Sequence, residues 1–292
     1  MATVEVVCFT DPSCPWAYSA EPFMRALEWR YGDGLRWRRV MIGLREDTAD
    51  LEQSGVTPAR RVDGWRWFAD TFGMPILTTP RARLVASGRA CRAVKAAALQ
   101  GEQAEVGMLR AVRLAWFTTT LLLDEDDALA EVAAGVDAID AGRLLADMPA
   151  AEDAYRADTA EARAARGIGE PAIAQGRAAT SNGDARFTAP SLLFRRDGQT
   201  LVAGGWQSFE AYDVCVANLA PELDRRPEPQ PAELLAAFPA GLTTAEVAEV
   251  CRGRNDPRDI PATRAALERL RESGAATGTP LGDDDVLWRP RA

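Results

Sequence analysis

The first 42 residues hold a strand, a loop, a helix and a second strand, and this order limits the fold more than any other feature of the chain. Val4 to Phe9 is a short apolar run. Trp16, Ala20, Phe23, Met24 and Leu27 recur at helical spacing and put one apolar stripe on a helix from Pro15 to Arg30. Gly32-Asp33-Gly34 ends it, and Leu35 to Ile42 alternates and then turns apolar, as a second strand does. A βαβ unit of this length requires a parallel pair joined by a right-handed crossover. The loop between strand and helix reads Asp11-Pro12-Ser13-Cys14-Pro15-Trp16-Ala17-Tyr18. Pro15 falls at the first helical position, where a missing N–H costs nothing. Cys14 therefore stands where unpaired N–H groups and the positive end of the helix dipole meet. That setting favours thiolate and predicts a depressed Cys14 pKa.

Composition removes several chemistries. There is no histidine among 292 residues, which excludes Ser-His-Asp and Cys-His catalysis, histidine metal ligation and histidine proton shuttling. The five cysteines, Cys8, Cys14, Cys91, Cys215 and Cys251, are scattered with no C-x-x-C pair. This argues against a disulfide framework and a structural zinc site, and no metal is expected. A net charge of −9 argues against nucleic acid or an anionic membrane as partner. No apolar run approaches the ~20 residues of a membrane span. The N-terminus runs into Val4 without a basic region or cleavage site, so no secretory signal and a cytoplasmic location are expected.

From Leu44 to about Ala185 the pattern is helical. It gives helices at Pro58–Phe72, from a Thr79 cap to Leu99, at Glu102–Leu123, Asp127–Ala134, Ala141–Met148 and Ala151–Arg166. Strands return at Ser191–Arg195 and Thr200–Ala203 around Asp197-Gly198, a strong hairpin signal. Trp206 to Leu219 is a closing helix. Pro221 to Pro231 holds four prolines among charges and reads as a linker. Beyond it, helices at Pro231–Phe238, Ala245–Cys251 (with a Thr243/Glu246 capping box) and Ile260–Glu272 precede a ribbon of Gly274–Thr279 with Val286–Trp288. Three helices and a ribbon resemble a winged helix-turn-helix. Arg264, Arg269 and Arg271 would form its reading face, but Glu268, Glu272 and Asp283 to Asp285 oppose phosphate there, so protein contact or packing is the preferred role.

The order β-α-β, helical insertion, hairpin, α is that of an α/β thioredoxin fold, with residues 1–226 as that domain, its insertion at about 45–185, and residues 227–292 as a small winged-helix-like domain. Asp11-Pro12-Ser13-Cys14-Pro15-Trp16 resembles the D-P-x-C-P-W motif of DsbA-like proteins of the FrnE type, and Thr188-Ala189-Pro190 resembles the cis-proline loop facing the reactive cysteine of that fold. The resemblance covers about residues 3 to 220. Ala17 departs from the family, standing where redox members carry a second cysteine, and the segment from Gly169 to Phe187 is longer than usual. Related branches, the kappa-class glutathione transferases and the 2-hydroxychromene-2-carboxylate isomerases, place serine at the Cys14 position and use a thiol cofactor.

The resemblance implies a catalytic segment of Cys14, Pro15, Trp16 and Ala17, and a substrate-binding set of Thr188, Ala189, Pro190, Asp11 and Tyr18. Asp11 is also a possible nearby acid or base, but an Asp in a strand-end loop is more often a turn or cap residue. Trp65, Trp67 and Phe68 are either core or the wall of an apolar groove. Cys8, Cys91 and Cys215 read as small buried hydrophobes. The leading functional expectation is a thiol-disulfide oxidoreductase or isomerase working through one thiol. No cofactor is tightly bound in that reading, and a low-molecular-weight thiol, glutathione or mycothiol, is the co-substrate. The alternatives are a thiol-cofactor transferase or isomerase, and a non-catalytic adaptor that binds a protein through residues 227–292.

Overall fold

The computed structural model describes residues 3–164, 170–181, 184–253 and 256–291. The elements run β1 (Val4–Thr10), α1 (Pro15–Ser19), α2 (Glu21–Tyr31), β2 (Leu35–Met41), α3 (Ala49–Gln53), α4 (Pro58–Phe72), α5 (Gly88–Ala98), α6 (Glu102–Thr118), α7 (Asp126–Ala134), α8 (Ala141–Arg163) and α9 (Glu170–Ala174). There follow β3 (Ala178–Ser181), β4 (Asp184–Phe187), β5 (Ser191–Arg196), β6 (Gln199–Ala203), α10 (Phe209–Leu219), α11 (Pro231–Ala237), α12 (Thr244–Cys251), α13 (Ile260–Glu272), β7 (Ala276–Leu281) and β8 (Asp285–Pro290).

The central sheet has the order β2-β1-β5-β6. β1 and β2 are parallel, with Val6 opposite Trp37, and β5 is antiparallel to both β1 and β6. This is the thioredoxin sheet. Asp197 at φ 49° and Gly198 at φ 78° make the tight β5–β6 turn, the primed geometry that a two-residue hairpin favours. Val4, Val6, Leu192 and Phe194 form one face of the sheet and pack with Leu27 of α2 and Tyr212 and Val216 of α10. Val7, Phe9, Val40, Ile42 and Leu193 form the other and meet Ala162 of α8. The insertion has its own core around Val94, Met108, Trp116 and Leu129.

Four helix expectations need correction, the simplest being that the helix expected to reach Leu123 ends at Thr118, where Thr119 turns extended. The first helix is broken at Ala20 (φ −90°, ψ −6°) into α1 and α2. Pro22 cannot donate back to Tyr18, so the ladder restarts, with Phe23 and Met24 N–H both bonding the Ala20 carbonyl. The helix expected from Thr79 begins only at Gly88. Tertiary bonds hold the intervening chain irregular: the Arg81 Nε donates to Leu121 O at 2.8 Å, Arg83 pairs with Asp124, and Thr78 N–H donates to Asp283. The two helices expected at 141–148 and 151–166 are one, α8, running through Pro149. Its buried stripe (Leu144, Met148, Ala151, Tyr155, Asp158, Ala162) continues across the proline, so packing outweighs one lost backbone bond. The end expected at Arg166 lies outside the described residues, as does Gly169, and the segment after it forms the β3–β4 hairpin.

The C-terminal segment has the expected order of three helices and a ribbon, with a further bridge between Leu242 and Trp288. The Thr243/Glu246 capping box is present. The preceding proline-rich strap lies against α2, where Trp29 Nε1 donates to Pro227 O at 2.8 Å and Arg226 N to Arg30 O at 2.9 Å. Thr244 to Val250 of α12 are all buried, and α12 packs on α2 of the thioredoxin body. The turn of the ribbon is docked as well: Asp283 Oδ2 accepts from Thr78 N and Oγ1.

Candidate active site

Antiparallel pairing sets Ser191 of β5 opposite Phe9 of β1, so the loop leaving β1 and the loop entering β5 meet at one end of the sheet. Cys14 is the N-cap of α1, with Pro15 behind it. Its Sγ–H donates to the Ala189 carbonyl at 3.1 Å. The Ala189–Pro190 peptide is cis, as the resemblance implied. Ser191 Oγ ties the loop, donating to Thr188 O at 2.7 Å and accepting from Gly205 N at 3.0 Å. The structure thus brings together Cys14, Pro15, Trp16, Ala17, Thr188, Ala189 and Pro190.

It does not give the sulfur the expected acidity. Cys14 is only 6% exposed. Burial pushes its thiol up to about 11, with the Asp11 charge adding to the rise. The N–H groups of Ala17 and Trp16 and the charge of Arg113 work the other way and do not prevail. The helix start is where the sequence placed it, but desolvation outweighs it. Ala17, 3% exposed, fills the position of the missing second thiol.

Asp11 takes the turn role rather than that of a substrate-binding group, and Tyr18 lies away from the substrate-binding set. Asp11 is fully buried. Its Oδ1 accepts from Ser13 N (2.9 Å) and Oγ (2.6 Å), and its Oδ2 from Leu44 N (2.8 Å), Ser87 Oγ (3.0 Å) and Cys91 Sγ (3.5 Å). It anchors the Cys14 loop to the start of the insertion, with no oxygen turned toward a ligand. Tyr18 is 1% exposed, stacks on Phe117 at 4.4 Å and donates to Pro75 O. Tyr18 belongs to the insertion core rather than the groove.

The aromatic residues divide by helical phase. Trp65 points inward and meets Phe117 edge-on at 5.2 Å. Trp67 and Phe68 instead join Trp16, at 5.9 and 5.0 Å between ring centres. Phe72 and Trp206, which the sequence did not single out, complete the cluster. Trp16 is 39% and Trp67 51% exposed, so an aromatic platform borders the thiol. Of the other cysteines, Cys91 is buried and Cys8, Cys215 and Cys251 are half-buried. Burial raises the Cys8 thiol to about 11 and the Cys251 thiol to about 12. Among the described residues no group of His, Cys, Asp and Glu is arranged to hold a metal, and no helix is long and apolar enough to cross a membrane.

A family model described as Thioredoxin matches residues 7–166, more than half of the 292 residues. The chain belongs to the thioredoxin family. Two curated relatives carry the name ClpXP adapter protein SpxH. The one from Halalkalibacterium halodurans is 33% identical over 144 residues, covering 46% of this chain and 46% of that protein. The one from Shouchella clausii is 25% identical over 252 residues, covering 85% of this chain and 77% of that protein. The first alignment therefore spans less than half the relative's length. Among solved structures, the cytosolic disulfide reductase DsbM from Pseudomonas aeruginosa superposes with a TM-score of 0.53 at 20% identity, covering 75% of this chain and 98% of that one; it is also solved with GSH. A probable DsbA oxidoreductase from Streptomyces coelicolor gives 0.53 at 21% identity, covering 78% and 93%. At these identities the structures establish the fold.

Proposed function

We propose that the protein is a DsbA-type thiol-disulfide oxidoreductase or isomerase that exchanges through a single thiol, Cys14. The observation that carries this reading is the 3.1 Å contact between Cys14 Sγ and the carbonyl beside cis-Pro190. It puts the sulfur next to backbone groups that an extended peptide can pair with. In exchange, the Cys14 thiolate attacks one sulfur of a substrate disulfide, forming a mixed disulfide and releasing the other sulfur as thiolate. With Ala17 in place of a second thiol, an external thiolate must attack the substrate's sulfur in that mixed disulfide, regenerating the Cys14 thiolate and leaving a new disulfide. That external thiol is a second cysteine of the client or a low-molecular-weight thiol such as glutathione or mycothiol.

The raised pKa makes the resting sulfur slow. The rise from 9.0 to about 11 loses roughly 100-fold in thiolate near neutral pH and regains roughly tenfold through greater basicity, a net rate roughly tenfold lower. Docking supplies the release in this reading. A client N–H that takes the Ala189 carbonyl removes the acceptor of the Cys14 proton, and the same chain lies across the sulfur. The test is exchange with a peptide disulfide by the wild type and by Cys14→Ser. Turnover that survives in the serine variant removes Cys14 from the chemistry.

A second reading, a protein-binding adaptor, is favoured by the alignment with an SpxH over 85% of this chain and by the low acidity of Cys14. Here the cleft binds a client segment without exchange and the C-terminal module supports recruitment. Pull-down with full-length wild type and Cys14→Ser separates the two. Clients retained by both without a covalent link favour the adaptor, and clients trapped only through Cys14 favour exchange.

A further inference from the structure

A cavity of about 30 Å³ lies where β1, β2 and α2 of the thioredoxin body meet the inserted helix α6. That is room for roughly two or three water-sized groups. Cys8 of β1 and Arg39 of β2 stand opposite each other in the parallel ladder, and both line it. So do the guanidinium groups of Arg25, Arg110 and Arg113 and the carboxylates of Glu21 and Glu28. Glu21 is taken by Arg113 and Arg25, and Glu28 by Arg25. A third carboxylate, Glu246, pairs with Arg110 at 2.7 Å. Arg39 is the cation left over. Among the described residues, no carboxylate lies within salt-bridge distance of it, and its Nη1 is shut off from solvent without a hydrogen-bond partner. Arg113 is 5% exposed and donates through its Nη atoms to Glu21 and to Thr10 Oγ1 (2.5 Å), but its Nε is secluded and unpartnered in the same way. Arg25 Nε is a further such atom, with Glu246 Oε1 at 3.6 Å, beyond hydrogen-bonding reach.

We infer that this cavity is a binding site for one small tetrahedral oxyanion, phosphate or sulfate, held by Arg39, Arg113 and Arg25. A buried guanidinium N–H left unpaired has given up its hydration without return, and a charge-assisted bond to an oxyanion restores it. The donors come from three separate elements, β2, α6 and α2. A tetrahedral anion offers oxygens on every side, whereas a carboxylate offers one edge and a halide has no preferred direction. The volume excludes an organic cofactor. Trp37, Arg39 and Val106 are half-buried and put one side of the cavity at the surface, which gives an ion its way in. Bound there, the ion ties the body to the insertion, and its affinity adds to stability by linkage. Burial raises the Cys8 thiol while Arg113 and Arg39 pull it back. An anion on those two charges cancels that pull and covers the sulfur, so Cys8 reports occupancy. The site is independent of exchange at Cys14.

The test titrates full-length protein with sodium phosphate, sulfate, acetate or chloride, each at one fixed ionic strength. Two readings are taken: the melting temperature, and the rate of Cys8 alkylation by iodoacetamide, resolved by site in the mass spectrum. With a Kd of about 1 mM, phosphate at about 10 mM is expected to slow Cys8 roughly tenfold and to raise the melting temperature by about 3 °C, both saturably. Cys215 and Cys251, outside the cavity, are expected to keep their rates. Sulfate is expected to act as phosphate does. Arg39→Gln is expected to remove both effects while leaving the fold intact. Protection of Cys8 in the wild type decides the matter if that variant fails to fold. Where Cys8 alkylates too slowly to score, the saturable melting shift and its loss in Arg39→Gln decide it. Acetate or chloride matching phosphate overturns the assignment. So does a phosphate effect that slows all three cysteines alike, that never saturates, or that survives in Arg39→Gln, and so does the lack of any effect.

Discussion

Arg110 of the inserted helix α6 and Glu246 of α12 in the C-terminal module form a buried bidentate pair, with N–O distances of 2.7 and 2.9 Å. Glu246 has no solvent exposure, accepts from its own cap at Thr243 N and lies 3.6 Å from Arg25 of α2. Arg110 in turn donates to Gly241 O at 2.7 Å. The pair joins thioredoxin body, insertion and C-terminal module. Neutralising one member leaves the other buried and uncompensated, so Glu246→Gln is expected to destabilise the chain by about 3 kcal/mol in urea titration. Wild type is expected to unfold in one calorimetric transition. A separate early transition for the C-terminal module contradicts this coupling.

Glu21 makes stability depend on acid. Burial alone would raise its pKa, but Arg113, Arg25 and Arg110 together hold it at about 2, below the ordinary 4.5. A carboxyl depressed on folding contributes stability that is fully present above the unfolded value and is lost as pH falls through the folded one. Unfolding free energy is therefore expected to fall between about pH 4.5 and 2, on the order of 3 kcal/mol from this group. Glu21→Gln is expected to flatten the slope there, at the cost of lower stability at neutral pH.

Alkylation of Cys14 is expected to keep rising with pH without a plateau below about pH 10. Site-resolved mass spectrometry with iodoacetamide measures this. A plateau near pH 7 restores the activated thiolate that the helix start implies and contradicts the burial argument.

Replacing Ala17 by cysteine tests the proposed single-thiol mechanism. The residue is three positions on, in the first turn of α1, and its N–H already faces the Cys14 sulfur. Ala17→Cys is expected to form a disulfide with Cys14 under oxidised glutathione, seen as a loss of two hydrogens in intact mass. Reductase turnover with a dithiol donor is expected to rise at least about tenfold, because resolution becomes intramolecular. No disulfide in a folded variant contradicts the placement of the two residues.

The local chemistry of the site was readable in the sequence because it is local. Cys-Pro at a strand-to-helix junction, Asp197-Gly198 in a hairpin and the Thr243/Glu246 box each carry their geometry within a few residues. The cis-proline loop was reached through family resemblance, since a lone Ala-Pro carries no such signal. Burial of Cys14 was not legible, because it is imposed by Leu44, Phe187 and Ala189 from distant segments. Two helix errors came from tertiary contacts: Thr79-Pro80 has good local start chemistry but is held irregular by bonds to Leu121, Asp124 and Asp283, and Pro149 was read as a break that α8 packs through.

The central claim is that Cys14 itself exchanges with a bound disulfide. Incubate wild type and Cys14→Ser with a cysteine-peptide disulfide at pH 8.5, quench with acid and map adducts by peptide mass. The account calls for the peptide joined to Cys14 in wild type, released by added thiol, with none at that position in the serine variant and none at Cys8, Cys91, Cys215 or Cys251 in either. Cys14 unmodified in folded protein, or adducts only at the other cysteines, contradicts it.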